Sequence, residues 1–195
     1  MPRIADRHLE AKIVRAALRL WRVHGAKSLT LRSVAVAAGT TTTTVYKRFH
    51  NKDALLVALA ELVQAKITDK TTSAATIEQA CRQFLAFVEK HPREYSLLWG
   101  PGWPQLYGPG RPVPIRDWML ERFSARFGGR PKDYVRAYYA LFLLVHGSAS
   151  LMSVGRDRRV KSEIQKSCLV ICDRLVANIH VLKKPSAEHG NGPAR

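Results

Sequence analysis

The chain is short of acid, short of cysteine and without a long apolar run, and each shortage narrows what it can be. Its 195 residues carry 15 Asp and Glu against 32 Lys and Arg, a net charge of +17 with a pI near 10.4. Such an imbalance favours polyanionic partners: nucleic acid, an anionic membrane or an acidic ligand. Three cysteines, Cys81, Cys168 and Cys172, are an odd number with neither zinc-ligand spacing nor clustered histidines. They read as buried thiols of a reducing cytoplasm, and no metal or cofactor is expected. No run of 18 apolar residues occurs, which argues against a membrane span. The opening residues MPRIADRHLEAK lack the apolar core of a signal peptide, so a cytoplasmic location is expected. Phosphate-loop, GxSxG and HExxH patterns are all missing, so the chain is not expected to be an enzyme. Hydrophobic residues nevertheless make up 46%, enough for a substantial core.

The acid deficit is concentrated at the front. From Lys12 to Lys52 there are nine Lys or Arg and no Asp or Glu, with Glu10 and Asp53 marking the borders. A short basic run is an ordinary solvated face. One this long makes a field of a single sign, which repels itself unless something anionic binds.

The same stretch is patterned as short helices. Ile13, Ala17, Leu20, Trp21 and His24 recur at helical spacing, and Gly25 sits where a C-terminal cap belongs. Thr30 is placed to cap a second helix with Leu31, Val34, Ala35 and Ala38 inward, stopped by Gly39. Five threonines follow, Thr40 to Thr44. Poor helix formers, they suit a turn, a cap and a first helical turn better than a helix interior. Thr41 then caps a helix through Val45, and Asn51 caps a fourth carrying Leu55, Leu59, Val63 and Ile67. Two short helices joined by a glycine turn make a helix-turn-helix. Its second helix would present Thr42, Thr43 and Thr44 to the major groove, with Tyr46, Lys47, Arg48 and Lys52 for phosphates or bases. A flexible polar loop is the plainer reading of five threonines alone; the basic and aromatic residues behind them favour the helix.

The stretch LTLRSVAVAAGTTTTTVYKRFHNKDALLVALA resembles the DNA-binding region of TetR-type (tetracycline-repressor-like) transcriptional regulators. The likeness rests on Leu29-Thr30, Val34-Ala35, Gly39, Thr44-Val45-Tyr46, Phe49 and Asn51 to Leu55, over about residues 8 to 60. It implies phosphate and base contacts from Arg32, Thr42, Thr43, Thr44, Tyr46, Arg48 and Lys52. Thr40 stands where the family usually has an apolar residue, and Thr43 where glycine or proline is common.

The remainder also reads as helical, near 76–90, through Tyr95 to Trp99, and at roughly 115–127, 132–154 and 160–183. WGPGWPQLYGPGRPVP, residues 99–114, is too rich in Gly and Pro for regular structure. The expected class is all-α. It comprises a helix-turn-helix domain over residues 1–52 with a linking helix 53–69, an effector-binding and dimerisation domain over 70–184, and a frayed tail from 185 to 195. Arg3 and Arg7 could form an arm before the first helix. The helices near 132–154 and 160–183 are apolar beyond one face, more than one intramolecular contact requires. Pairing with a second copy through Val145, Ala149, Ile171, Leu175 and Ile179 would bury the excess, as TetR-type proteins do; internal core is the alternative. Trp99, Trp103, Tyr107, Tyr138, Phe142 and His146 gather near the Gly/Pro loop, as core or as an effector pocket for a mainly apolar or aromatic ligand. A homodimeric repressor released from a palindromic DNA operator by a small molecule is the expected function. The rival is an architectural protein coating DNA through its general charge.

Overall fold

The computed structural model describes residues 4–108 and 110–182, so Arg3 and the tail from 185 to 195 lie outside the described residues. Helix α1 spans Ile4–His24, which places residue 7 inside the helix instead of on an arm before it. Helices α2 (Leu31–Ala38), α3 (Thr42–Arg48) and α4 (Lys52–Thr72) follow, each opened by the residue that its capping pattern predicts. The Thr30 hydroxyl accepts from the Ser33 N–H, that of Thr41 from the Thr44 N–H, and the Asn51 side-chain Oδ1 from the Ala54 N–H. Side-chain caps of this kind each contribute about 1 kcal/mol. They let two helices of only eight and seven residues persist where propensity would not. Between them Gly39 adopts φ 59° and ψ 47°, and the N–H groups of Gly39 and Thr40 close onto the carbonyls of Val36 and Ala35. A β-carbon is disfavoured in that left-handed conformation, so the turn needs glycine. Val45 and Ala35 are buried in the angle between the helices, and Phe49 is core.

Helices α5 (Ile77–Lys90), α6 (Pro92–Ser96), α7 (Trp103–Tyr107), α8 (Pro114–Phe127), α9 (Val135–Val154) and α10 (Arg158–Ala177) complete the chain. The short α7 corrects the expectation of an irregular 99–114: Pro104 falls in its first turn, where a missing N–H costs nothing. The last helix is also shorter than its apolar period suggests. It stops at Ala177 and resumes after Asn178 as a 3-10 turn, Ile179–Leu182. Helix α5 packs against α4, α9 and α10, and one continuous apolar core runs from Ile13 in α1 to Ile179.

Helix α9 is apolar on all sides. The segment Pro131–Val154 is long and apolar enough to cross a bilayer by length and composition, although it contains no unbroken run of 18 apolar residues. Its Tyr138, Leu141, Val145, Ala149 and Met152 are buried within this chain, while Tyr139, Leu143, Leu151 and Val154 are exposed. Val145, Ala149 and Ile179, expected at an interface between copies, are therefore core residues that a partner cannot reach. Period alone points them inward or outward equally well. The side that the rest of the chain covers decides, and these three lie on it.

Candidate nucleic-acid interface and internal cavity

The recognition surface centres on α3. Thr43, Tyr46 and Lys47 are exposed at i, i+3 and i+4, on one helical face, with Tyr46 52% accessible. Arg32 on α2 and Lys52 at the start of α4 are exposed as well. Other expected contacts are held back. Thr41 and Thr44 share a 2.8 Å hydrogen bond between their hydroxyls besides the cap, so both side chains hold the helix start. Thr42 is half-buried. Arg48 is only 20% exposed and lies 4.0 Å from Glu10, which ties the end of α3 to α1. The Lys52 ammonium donates to the Ala26 carbonyl at 2.8 Å, joining α4 to the turn that follows α1.

One residue that motif reasoning passed over joins this face. The exposed Lys12 brings its Nζ to the Gly39 turn, 3.8 Å from where a β-carbon on that glycine would sit. Its signal was the acid-free basic run itself, in which Lys12, Arg15 and Arg19 recur along one side of α1.

Helix α6 joins this N-terminal unit to the rest. Trp21 Nε1 donates to the Arg93 carbonyl at 2.5 Å, and Arg93 Nη1 donates to the carbonyls of Arg22 and Val23 at 2.7 and 2.6 Å, capping the end of α1. Next in sequence, Glu94 is 1% exposed and receives Arg22 Nε at 2.7 Å and His91 Nδ1 at 3.1 Å, with Lys66 Nζ at 3.9 Å. Burial lowers the pKa of Lys66 and of His91, and the Glu94 carboxylate opposes it in both. The following residue, Tyr95, puts its hydroxyl 3.3 Å from His146 Nδ1 on α9. Adjacent residues of one short helix thus grip the N-terminal unit and the wall of a cavity.

That cavity lies between α4, α5, α8 and α9, with α7 at one end, and has a volume of about 50 Å³. Of the six expected effector residues, Tyr107, Tyr138, Phe142 and His146 line it. Trp99 and Trp103 do not; they stack on each other at 4.6 Å, and Trp103 continues onto Tyr107 at 4.3 Å. The indole of Trp99 meets the His146 ring edge-on at 5.4 Å, so the two tryptophans form an outer layer over the wall. Burial lowers His146 to about 4, leaving the imidazole neutral near pH 7. The Tyr107 hydroxyl donates to Gln64 Oε1 at 2.6 Å and so fastens α7 to α4. Gln64 and Thr71 are lining residues that composition and aromatic clustering could not flag; only the path of α4 beneath α7 brings them in.

The thiols are packing groups. Cys168 and Cys172 lie 4.0 Å apart, beside Cys81. The hydrogen bond to Cys172, with burial, pushes Cys168 up. Cys172 is pulled down by Cys168 but pushed up more by Cys81 and burial, to about 12. Protonated and buried, they are poor nucleophiles. Among the described residues no group of His, Cys, Asp or Glu is arranged to hold a metal.

Comparison with known proteins agrees with this architecture. Residues 13–59 match the profile of the bacterial regulatory proteins of the tetR family. No curated protein matches the chain by sequence. TetR from Acinetobacter baumannii AYE is 20% identical and superposes with a TM-score of 0.68, covering 90% of this chain and 98% of its own. A variant TetR from the same organism, solved in complex with minocycline, is 21% identical with a TM-score of 0.64 over 90% and 98% of the two chains. A TetR transcriptional regulator from Rhodococcus sp. RHA1 is 18% identical with a TM-score of 0.60, covering 90% and 99%. The chain has the fold of a TetR-family transcriptional regulator: a helix-turn-helix DNA-binding domain followed by a larger helical domain.

Proposed function

We propose that this protein is a repressor that occupies a palindromic operator as a homodimer in the cytoplasm and leaves it when a small molecule binds the larger domain. The observation that carries this reading is the capped recognition helix with Thr43, Tyr46 and Lys47 on one open face, flanked by Lys12, Arg32 and Lys52. Cations at the edges suit phosphates, and the threonine at the centre suits a base edge or a thymine methyl.

A second copy is supported by the outer sides of α9 and α10. Leu143 (69% exposed), Leu151 and Val154 (78%) on α9, and Val160 and Ile171 on the neighbouring α10, are apolar residues that this chain leaves to water. Gly147 falls in the α9 stripe, four residues from Leu143 and from Leu151, with nothing within 4 Å of a β-carbon built on it, so a partner helix has room to approach. Ile171 and the half-buried Leu175 remain in the proposed interface, joined by Tyr139, Leu143, Leu151, Val154 and Val160.

A ligand lowers DNA affinity only if it prefers a dimer whose recognition helices are wrongly spaced. Helix α6 is suited to carry that preference, since Tyr95 touches the cavity wall and Glu94 holds α1 and α4. Selection of binding sites from random DNA, followed by footprinting, tests the whole reading. The expected result is an inverted repeat with half-sites about 34–36 Å apart, or a multiple of that. Uniform coating without a protected site would refute it in favour of an architectural role.

A further inference from the structure

Resting on the reading of the cavity as the effector site, we infer that its ligand is an uncharged, elongated apolar molecule with a hydrogen-bonding oxygen at each end, lying along α9 between Tyr138 and His146. No Asp, Glu, Lys or Arg is among the described residues that line the cavity. An ionised ligand would therefore lose its hydration and gain no counter-charge. The charges nearest Tyr138 are Arg116 and Asp117, which are spent on each other at 3.0 Å. The groove outside, beyond Gln64 and Val113, carries Glu61 and Asp69 against Arg111, a mouth with no surplus of cations. The positive charge of the chain as a whole thus stops short of this site.

The polar atoms that remain are few: Thr71 brings a hydroxyl to the wall from α4, and the other two lie at the ends of the track along α9. Tyr138 is buried, and its hydroxyl has no hydrogen-bond partner among the described residues. His146 lines the cavity as well, with Nδ1 3.3 Å from a Tyr95 hydroxyl that also lies 3.3 Å from the His146 carbonyl, and in this inference Nε2 is the atom offered to a ligand. Eight residues separate them on α9, a rise of about 12 Å, with the Phe142 ring between. Tilted against His146 at 4.2 Å and Tyr138 at 5.8 Å, Phe142 gives the middle of the track an aromatic surface. A phenol, alcohol or carbonyl at each end of a flat apolar body would satisfy this arrangement.

The cavity as it stands is too small for such a molecule. About 50 Å³ admits a few waters at most, whereas ligand pockets run to several hundred Å³. Room comes from α7: displacing Tyr107 breaks its bond to Gln64 and shifts the Trp103 ring stacked on it. Entry of the ligand therefore perturbs the stacked tryptophans.

The test compares dihydroxybiphenyl, biphenyl and biphenyl dicarboxylate, binding to the DNA-free protein and followed by tryptophan fluorescence and thermal stabilisation. Dihydroxybiphenyl should bind best, and the dicarboxylate roughly a hundredfold more weakly or not at all. Tyr138→Phe and His146→Phe should each weaken dihydroxybiphenyl about tenfold and leave biphenyl unchanged. Preference for the dicarboxylate, insensitivity of dihydroxybiphenyl to both substitutions, or saturation by none of the three would overturn the inference. Operator release is measured separately. Binding with the expected pattern but no release would leave the ligand chemistry standing and sink the repressor reading; release by the dicarboxylate alone would do the reverse.

Discussion

Neutralising Glu94 should loosen the joint between the DNA-binding unit and the rest of the chain. The carboxylate is 1% exposed and faces two cations and an imidazole: Arg22 at the end of α1, Lys66 in α4 and His91 at the end of α5. In Glu94→Gln the side chain keeps its size, and the amide oxygen can still accept one hydrogen bond. What is lost is the only acid in the cluster. Removing one member of a fully buried ion pair typically costs about 3–5 kcal/mol, because the partner stays charged and dry. Here the partners differ from that limit: Arg22, Lys66 and His91 are 43%, 40% and 31% exposed and recover part of their hydration. The expected loss is therefore smaller, about 1–3 kcal/mol.

Urea unfolding at pH 7.5 or so, where His91 is neutral, measures this loss. The double-mutant cycle with Arg22→Met isolates the strongest contact, with a coupling expected at about 1–2 kcal/mol. Because the lost contacts tether α1, hydrogen exchange in the last turn of α1 should accelerate more than exchange in α9. A Glu94→Gln protein within about 0.5 kcal/mol of the parent, with unchanged exchange in α1, would show that the buried carboxylate contributes nothing net and that α6 is held by its backbone bonds alone.

Three further outcomes follow from the same geometry. His146 has an ordinary pKa near 6.5 when unfolded and about 4 when folded, so the unfolded chain binds more protons between those values. Stability should fall as pH drops from about 6.5 to 4, by up to about 3 kcal/mol, and His146→Asn should lack that component in denaturant titrations at each pH. Lys12→Ala and Lys47→Ala should each weaken binding to all DNA sequences and lower the salt slope by about one, whereas Arg48→Ala should mainly lower stability; Thr43→Ala should alter base preference in a binding-site selection. Gly147→Leu, whose β-carbon would have no neighbour within 4 Å, should leave the monomer folded yet abolish the dimer in sedimentation, and a dimer of normal affinity would remove α9 from the interface.

The legibility of the sequence differed sharply between the two halves, for a physical reason. In the first fifty residues each structural decision is local: a hydroxyl reaches an N–H three residues on, and glycine alone takes the left-handed turn at 39. Such rules are readable residue by residue, and Thr30, Thr41, Asn51 and Gly39 all obey them. Locality does not reach Arg48, where Glu10, thirty-eight positions earlier, comes within 4.0 Å only once the chain is folded. In the second half the decisive contacts are between distant helices. Helix α9 is apolar all round, so no period could say which of its sides the chain would cover, and Val145 and Ala149 were as plausible outward as Leu143 and Leu151. The sequence did carry the amount: more apolar surface than α5 and α8 can hide. Only the fold supplies the direction, by spending Val145, Ala149 and Ile179 inside and leaving Leu143, Leu151, Val154 and Ile171 outside. Apolar residues left over on two neighbouring helices, after the chain's own core is complete, are the surface that the proposed second copy would bury.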